Sequence, residues 1–447
     1  MTTLAHEPLS TPPHHTEAPS SPHPTAAGGR RSTRHSPPCG GPYLGPSPLH
    51  AAPDPLATLC LLAASIAVRV TQYDNDFISP YASAESVASA TSMALGGILK
   101  IDLLLLPPPA KKIKGWTMRP VTEMTTSVSH QPYPIPGADG VIPMSAPPLR
   151  ISYVLDPGVM VPEGETQQVG WWDDKEEMWK TDDISDIQWA PETRTISFDT
   201  LHLTALALLQ PTHLEFPFKN WLLSPSTSSS ADLYVQTQNH LLHVAVSAKG
   251  VVLKAPRLPA LSALLDTPLA ASTLFLGLRR AGINLMPRDV DATKLERVTP
   301  KAAALEKEMH QAIAPLAARY HLCASRWNLS RGASKGTLRF AMKAESYADE
   351  SAESSSTPDD PFAAIEPDWA TLEFSQKRVL LIAATDEDDS CNELAAEGVV
   401  AHSTPLECFK ERDPDLQEEL LSSSRLYQDS VRQLLDNLRL LSFTKLD

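Results

Sequence analysis

The sequence predicts an α+β protein: an antiparallel β-sandwich-like domain, then a mixed helix and strand region, then a C-terminal amphipathic helix, all behind a disordered N-terminal leader. Three features carry that expectation. From residue 96 to residue 256, short apolar or alternating runs are separated by polar turns every ~8–12 residues, the rhythm of sandwich strands. Beyond Pro256 apolar residues recur at helical spacing instead. The leader, 1–55, is dominated by Pro, Ser, Thr, His, Gly and Ala, with too little apolar surface to offset chain entropy. The implied divisions are 1–55 leader, 56–95 linker, 96–256 β-rich domain and 257–447 α+β region, the last carrying an acidic loop at 346–361.

Taken in order, Leu56 to Val70 is apolar but interrupted by Ser65 and Arg69, shorter than the ~20 residues a membrane span needs. A secretory signal would start near residue 1. Ser79 to Leu95 is weakly patterned and is assigned no element. Ile98 to Leu106, opened by Gly96-Gly97 and closed by Pro107-Pro108-Pro109, fits a buried strand. The three prolines fix φ and remove donors, so the chain leaves as a stiff polyproline arm until Gly115-Trp116 lets it turn back.

Leu149 to Leu155 is a strand ended by Asp156-Pro157-Gly158. Thr193 to Thr200 places Ile196 and Phe198 on one face of another. Leu201 to Gln210, Asn220 to Leu223, Leu233 to Thr237, Leu241 to Val246 and, after the Lys249-Gly250 turn, Val251 to Lys254 complete the series. Pro268 to Ala281 is predicted as a helix with Thr267 as N-cap and Gly282 as its stop. Thr299-Pro300 opens a second, along which Leu305, Met309, Ile313, Leu316 and Tyr320 share a face, with Pro315 kinking its end. Extended structure returns at Leu322 to Leu329, Thr337 to Lys343, Trp369 to Phe374 and Arg378 to Ala383, the last apolar enough to be central. Ser422 to Leu441 closes the chain as a helix with Leu426, Val431, Leu434, Leu435, Leu438 and Leu441 in one stripe.

With 53 acidic against 38 basic residues the net charge is −15, which disfavours nucleic acid and anionic membrane as partners. Cys39, Cys60, Cys323, Cys391 and Cys408 are scattered and odd in number, indicating a reducing compartment rather than a disulfide or zinc framework. His14, His15 and His23 lie in the leader without fixed geometry. His240 and His243, three apart on a strand, point to opposite faces, and His310 and His321 fit ordinary structural roles. Arg331 to Gly336 has glycines and a lysine but neither the spacing of a phosphate cradle nor a following helix, so it is a hairpin loop. The Ser-rich acidic stretch Asp349 to Asp360 suits phosphorylation. No nucleophile, metal or dinucleotide signature is present; the expectation is a non-enzyme without catalytic residues, metal or cofactor.

Two clusters stand out as partner-binding candidates. Lys111, Lys112, Lys114 and Arg119, with Trp116 as an apolar tip, form a dense local reversal of the chain's charge. Trp171, Trp172 and Trp179 lie among carboxylates in one acidic segment; tryptophans are enriched at interface hot spots, but a small sandwich also uses them as core and lid. The lysines can equally be a solubilising surface loop.

Gly96-Gly97 with its apolar strand, the triple proline and Gly115-Trp116-Thr117-Met118-Arg119, then Asp182 to Phe198, Ala205 to Pro225 and the closing helix at Arg425 to Phe443, follow one another in an order that resembles the axonemal dynein intermediate chain 7 family, also called cancer susceptibility candidate 1, of inner-arm dynein f. The resemblance covers roughly Asp74 to the C-terminus. It implies a non-catalytic subunit of axonemal dynein, in cytoplasm and the axoneme of a cilium or flagellum. The partners it implies are dynein heavy, intermediate and light chains and tubulin. The family's Lys/Glu-rich helical N-terminal half is replaced here by the leader, as in an incomplete gene model. The other reading the residues allow is a cytosolic β-sandwich adaptor unrelated to cilia.

Overall fold

In the computed structural model, residues 66–106, 110–118, 128–136, 146–162, 167–343, 361–362, 369–376, 378–383, 386, 401–410, 413 and 415–445 are described. The leader 1–55, the triple proline, Arg119, Asp349 to Asp360 and Cys39, Cys60 and Cys391 lie outside them.

The first half is β1 (Ile66–Tyr73), α1 (Ala84–Ser89), β2 (Ser92–Leu105), β3 (Lys111–Ile113), β4 (Trp116–Met118), β5 (Ser129–Gln131), β6 (Leu149–Val154), β7 (Gln168–Asp173), β8 (Met178–Lys180), β9 (Ile184–Ala190), β10 (Thr195–Thr200) and β11 (Ala205–Pro211). β12 (Asn220–Thr227), β13 (Ser230–Gln236), β14 (Leu241–Ser247) and β15 (Gly250–Ala255) follow as a meander. The remainder is α2 (Ala271–Ala281), β16 (Val298–Pro300), α3 (Ala303–Ile313), β17 (Tyr320–Ala324), β18 (Lys335–Met342), β19 (Ala370–Ser375), β20 (Arg378–Ile382), α4 (Pro405–Lys410), α5 (Leu416–Ser422), α6 (Arg425–Leu438) and β21 (Phe443–Lys445). The paired strands are antiparallel, and helices pack on sheet, a β-rich α+β fold.

A six-stranded sheet runs β1-β2-β11-β7-β8, with β5 also paired to β2, and a three-stranded sheet runs β6-β10-β9. Leu99, Ile101, Val169, Leu206 and Leu208 of the first share one buried cluster with Ile151, Tyr153, Ile196 and Phe198 of the second. The alternation predicted for Thr195–Thr200 puts Ile196 and Phe198 into that cluster, both fully buried. Gly96-Gly97 does not open β2, as expected, but sits inside it. Ala207 of β11 stands opposite Gly96, Gly97 and Ile98, a bulge between the Leu206–Leu99 and Leu208–Leu95 pairs. Gly97 has φ +101°, and a Cβ there would lie 2.0 Å from the Tyr73 carbonyl oxygen, so only glycine fits.

The eight-stranded sheet runs β15-β14-β13-β12-β17-β18-β19-β20, taking strands from both sides of residue 256. On it lie α2, α3 and α6, whose Leu274, Phe275, Leu278, Leu305, Met309, Tyr427, Val431 and Leu434 join Leu223, Leu233, Val244, Leu253, Leu322 and Leu338 in one large core. Several expected details are corrected here. α2 starts at Ala271, not Pro268, because Leu269 exchanges backbone hydrogen bonds with Val251 (2.8 and 2.9 Å) and is held as strand, leaving Thr267 uncoupled from the helix. Gly282 does stop it, at φ +112°. Thr299-Pro300 belongs to β16, paired with β21, and α3 begins at Ala303. A 3-10 turn at Pro315–Ala318 replaces the expected kink. Extended structure after Tyr320 ends at Ala324, where a 3-10 turn, Arg326–Ser330, follows. β20 is outermost rather than central; its apolar side chains are covered by α4 and the flanking chain, with Val379 bridged to His402. On α6, Leu426 is 66% exposed, and the fully buried Tyr427, donating to the Ala317 carbonyl at 3.0 Å, takes its place in the stripe. Among the described residues no helix is long and apolar enough to cross a membrane.

Candidate partner-binding surface

Lys111, Lys112, Lys114 and Trp116 share one two-stranded hairpin. Lys114 and Gly115 form its turn with φ +49° and +87°, the left-handed pair that a two-residue hairpin connection demands. Cross-strand pairing sets Lys111 against Met118, Lys112 against Thr117 and Ile113 against Trp116. Opposed residues share a face, so Ile113, Trp116 and Met118 line one side together with Lys111, while Lys112 and Thr117 occupy the other. All three apolar residues face solvent: Ile113 is 49%, Met118 56% and Trp116 77% exposed. None of the three lysines forms an ion pair among the described residues. The arrangement is a positively charged finger with an uncovered apolar face. Sequence reasoning found the lysines and Trp116 but missed Ile113 and Met118; the Lys-Gly turn flanked by alternating residues was the available signal.

Trp171, Trp172 and Trp179 come together on a different hairpin: β7 and β8 pair Trp172 with Trp179 and Trp171 with Lys180. Trp172 is buried and meets Trp179 edge-to-face at 5.3 Å. Trp179 donates from Nε1 to Ser79 Oγ at 2.9 Å, and both rings pack with Ile78, Ala82 and Ile98, so they fasten the 78–82 turn onto the sheet. Trp171 stacks on His202 at 3.7 Å and donates to the Asp182 carbonyl at 3.0 Å. Lys180 bridges Asp173 (2.7 Å) and Glu176 (3.0 Å), and that ammonium holds the Asp173 carboxyl down at about 2.

The histidines and the Arg331 to Gly336 loop singled out in the sequence are tied into the fold. His240 lies in the turn before β14 rather than on the strand, its Nδ1 3.1 Å from Glu215, while His243 on β14 has Nε2 2.8 Å from Asp232. His321 Nδ1 meets Ser224 Oγ at 3.0 Å. His310, buried on α3, meets Asp436 of α6 at 3.0 Å. In the Arg331 to Gly336 loop the Gly332 and Lys335 carbonyls accept from Lys301 Nζ at 2.8 and 2.5 Å; those carbonyls gather a cation, the opposite polarity to a phosphate cradle. Among the described residues no group of three or more His, Cys, Asp or Glu could hold a metal ion. Cys323 and Cys408 are buried, and burial pushes the Cys323 thiol up to about 12.

The fold and this surface define a β-rich α+β protein with a basic hairpin whose apolar face is exposed among the described residues. No family model matches the chain. Among curated proteins it is similar to dynein axonemal intermediate chain 7 of Danio rerio, 27% identical over 365 residues that cover 78% of this chain and 47% of the relative. It is 25% identical to the dynein axonemal intermediate chain 7 homolog of Ciona intestinalis over 344 residues, 72% of this chain and 45% of the relative. With the Homo sapiens protein of that name the identity is 24% over 355 residues, 78% and 47%. The chain is thus related to the dynein axonemal intermediate chain 7 proteins, the family its ordered motifs resemble. It spans just under half the length of these relatives.

Proposed function

We propose that this chain is a non-catalytic structural and assembly subunit of axonemal dynein, of the inner-arm class, that supports ciliary or flagellar motility through protein–protein contacts. The observation that supports this reading is the similarity to proteins named as axonemal dynein intermediate chains over 72–78% of the chain. Dynein heavy chains and other intermediate and light chains are the partners, in cytoplasm before assembly and on the axoneme after it. Neither nucleic acid nor membrane is a partner. Tubulin is met through Lys111, Lys112, Lys114 and Trp116, with Arg119 just beyond the described hairpin; the Trp171–Trp179 hairpin offers its exposed edge to a dynein subunit. In a flagellated cell carrying a tagged copy, the chain stays with the axoneme through detergent and leaves with the arm dyneins in high salt. Release by detergent alone would refute the assignment.

A further inference from the structure

The outer edge of β1 is a docking site of another kind. β1 is fully paired to β2 from Ile66–Leu105 to Tyr73–Ile98 without a register shift, yet its other edge makes no backbone hydrogen bond among the described residues. At eight residues it is the longest outermost strand. Sheet edges are normally blunted by a bulge, a proline or an unpaired charge. β9, also outermost, has a bulge against β10 and a left-handed residue at Asp186. β15 is bridged by Leu265 and Leu269 and β20 by His402. β1 has no proline, and its one charged side chain is drawn towards β2 and does not guard the edge, Arg69 Nε and Nη2 donating to Asp102 at 2.9 and 2.6 Å.

The side chains show what is missing. Val68 and Val70 stand opposite Leu103 and Ile101 and share their inward face, yet those partners are 2% and 6% exposed while the valines are 40% and 36%. The apolar layer therefore continues past the point where the fold covers it. On the opposite face of the strand pair lie Arg69 and Lys100, the latter without an ion pair among the described residues, around the single carboxylate of Asp102.

We propose that β1 accepts an extended segment of a different protein as an added strand, with apolar residues alternating with acidic ones. The apolar set covers Val68 and Val70 and the acidic set faces Arg69 and Lys100. Main-chain bonds along the edge supply affinity and the alternation supplies selection. A second copy of this chain is disfavoured, because pairing β1 with itself sets one Arg69 close to the other and brings together two bodies of net charge −15.

The test uses the purified full chain and needs no dynein component, so it stands or fails apart from the function proposed above. The probes are an end-blocked eight-residue peptide of alternating valine and aspartate, the same peptide with lysine for aspartate, and the aspartate peptide N-methylated at alternate amides. The aspartate peptide should slow exchange of the β1 amides that point away from β2 at least tenfold. It should also bind at least tenfold tighter than either control. Val68→Lys with Val70→Lys should abolish both effects while leaving the unfolding midpoint in place. Equal binding of the N-methylated or lysine peptide overturns the proposal. So does slow exchange without peptide, which would mean the chain's own residues cover the edge, or a β1-dependent dimer in light scattering, which would make the occupant a second copy.

Discussion

The eight-stranded sheet and the six-stranded sheet end differently. The first has both outer strands bridged and a core spanning strands and three helices. The second, among the described residues, leaves β1 unbridged and carries its two valines past the buried layer. Next to β2 in the chain, a hairpin turns three apolar residues to solvent. Among the described residues, one region covers its outer strands and its apolar surface; the other leaves a strand edge and two valines uncovered.

Truncation on the two sides should therefore cost very different amounts. Phe275→Ala on α2 removes a fully buried ring from the large core and should cost ~3–5 kcal/mol in urea unfolding. Val68→Ala on β1 removes a side chain that is 40% exposed and should cost under ~0.5 kcal/mol. Comparable losses at the two sites would mean that β1 is covered in the free chain and that the contrast between the sheets does not exist.

A second difference is electrostatic. Where helices close the eight-stranded sheet, Glu306 is buried beneath Arg439, accepting from its Nε and Nη2 at 2.9 and 2.7 Å, while Glu306 Oε1 has no hydrogen-bond partner among the described residues. Burial outweighs the guanidinium and pushes the carboxyl up to about 7. A folded pKa above the unfolded value of 4.5 means the folded state holds this proton more tightly. The stabilisation is then complete below about pH 4.5 and is lost as pH rises through about 7. The difference between wild type and Glu306→Gln should drift by on the order of 3 kcal/mol across that window, wild type weakening relative to the variant as pH rises. Parallel stability curves for the two would show Glu306 ionised throughout and the closure held by a permanent ion pair.

What the sequence revealed follows the range of the interaction that decides each feature. Ile196 and Phe198, the Lys249-Gly250 turn and the Gly282 stop are set by neighbours along the chain, and each lies where its pattern places it. Thr267-Pro268 and Thr299-Pro300 look like helix starts locally, but Val251 and Phe443 claim the adjoining backbone for strands. β1 was hidden because one charge breaks its apolar run, and that charge is drawn to Asp102, 33 residues on. Arg439 meets Glu306 across 133 residues, a separation no periodicity reports. Of the candidate surface, composition showed the lysines and tryptophans; only the pairing of strands separated the exposed Trp116 from the buried Trp172.

The smallest effect on stability should come from the hairpin, where the largest effect on binding is expected. Lys111→Glu, Lys112→Glu and Lys114→Glu together alter side chains that are exposed and unpaired among the described residues, so the unfolding free energy should move by less than ~0.5 kcal/mol. A chain of net charge −15 approaching a microtubule, whose exposed tails are acidic, is repelled over roughly a Debye length, ~8 Å at physiological salt. Contact needs a local reversal of sign, and the three lysines supply it beside an apolar face that can anchor once charge has steered it in. The triple variant should lose microtubule co-sedimentation, and wild-type pelleting should fall as salt rises. Equal pelleting of the two proteins would remove the hairpin from the contact, and pelleting of neither would mean that this chain makes no direct contact with microtubules.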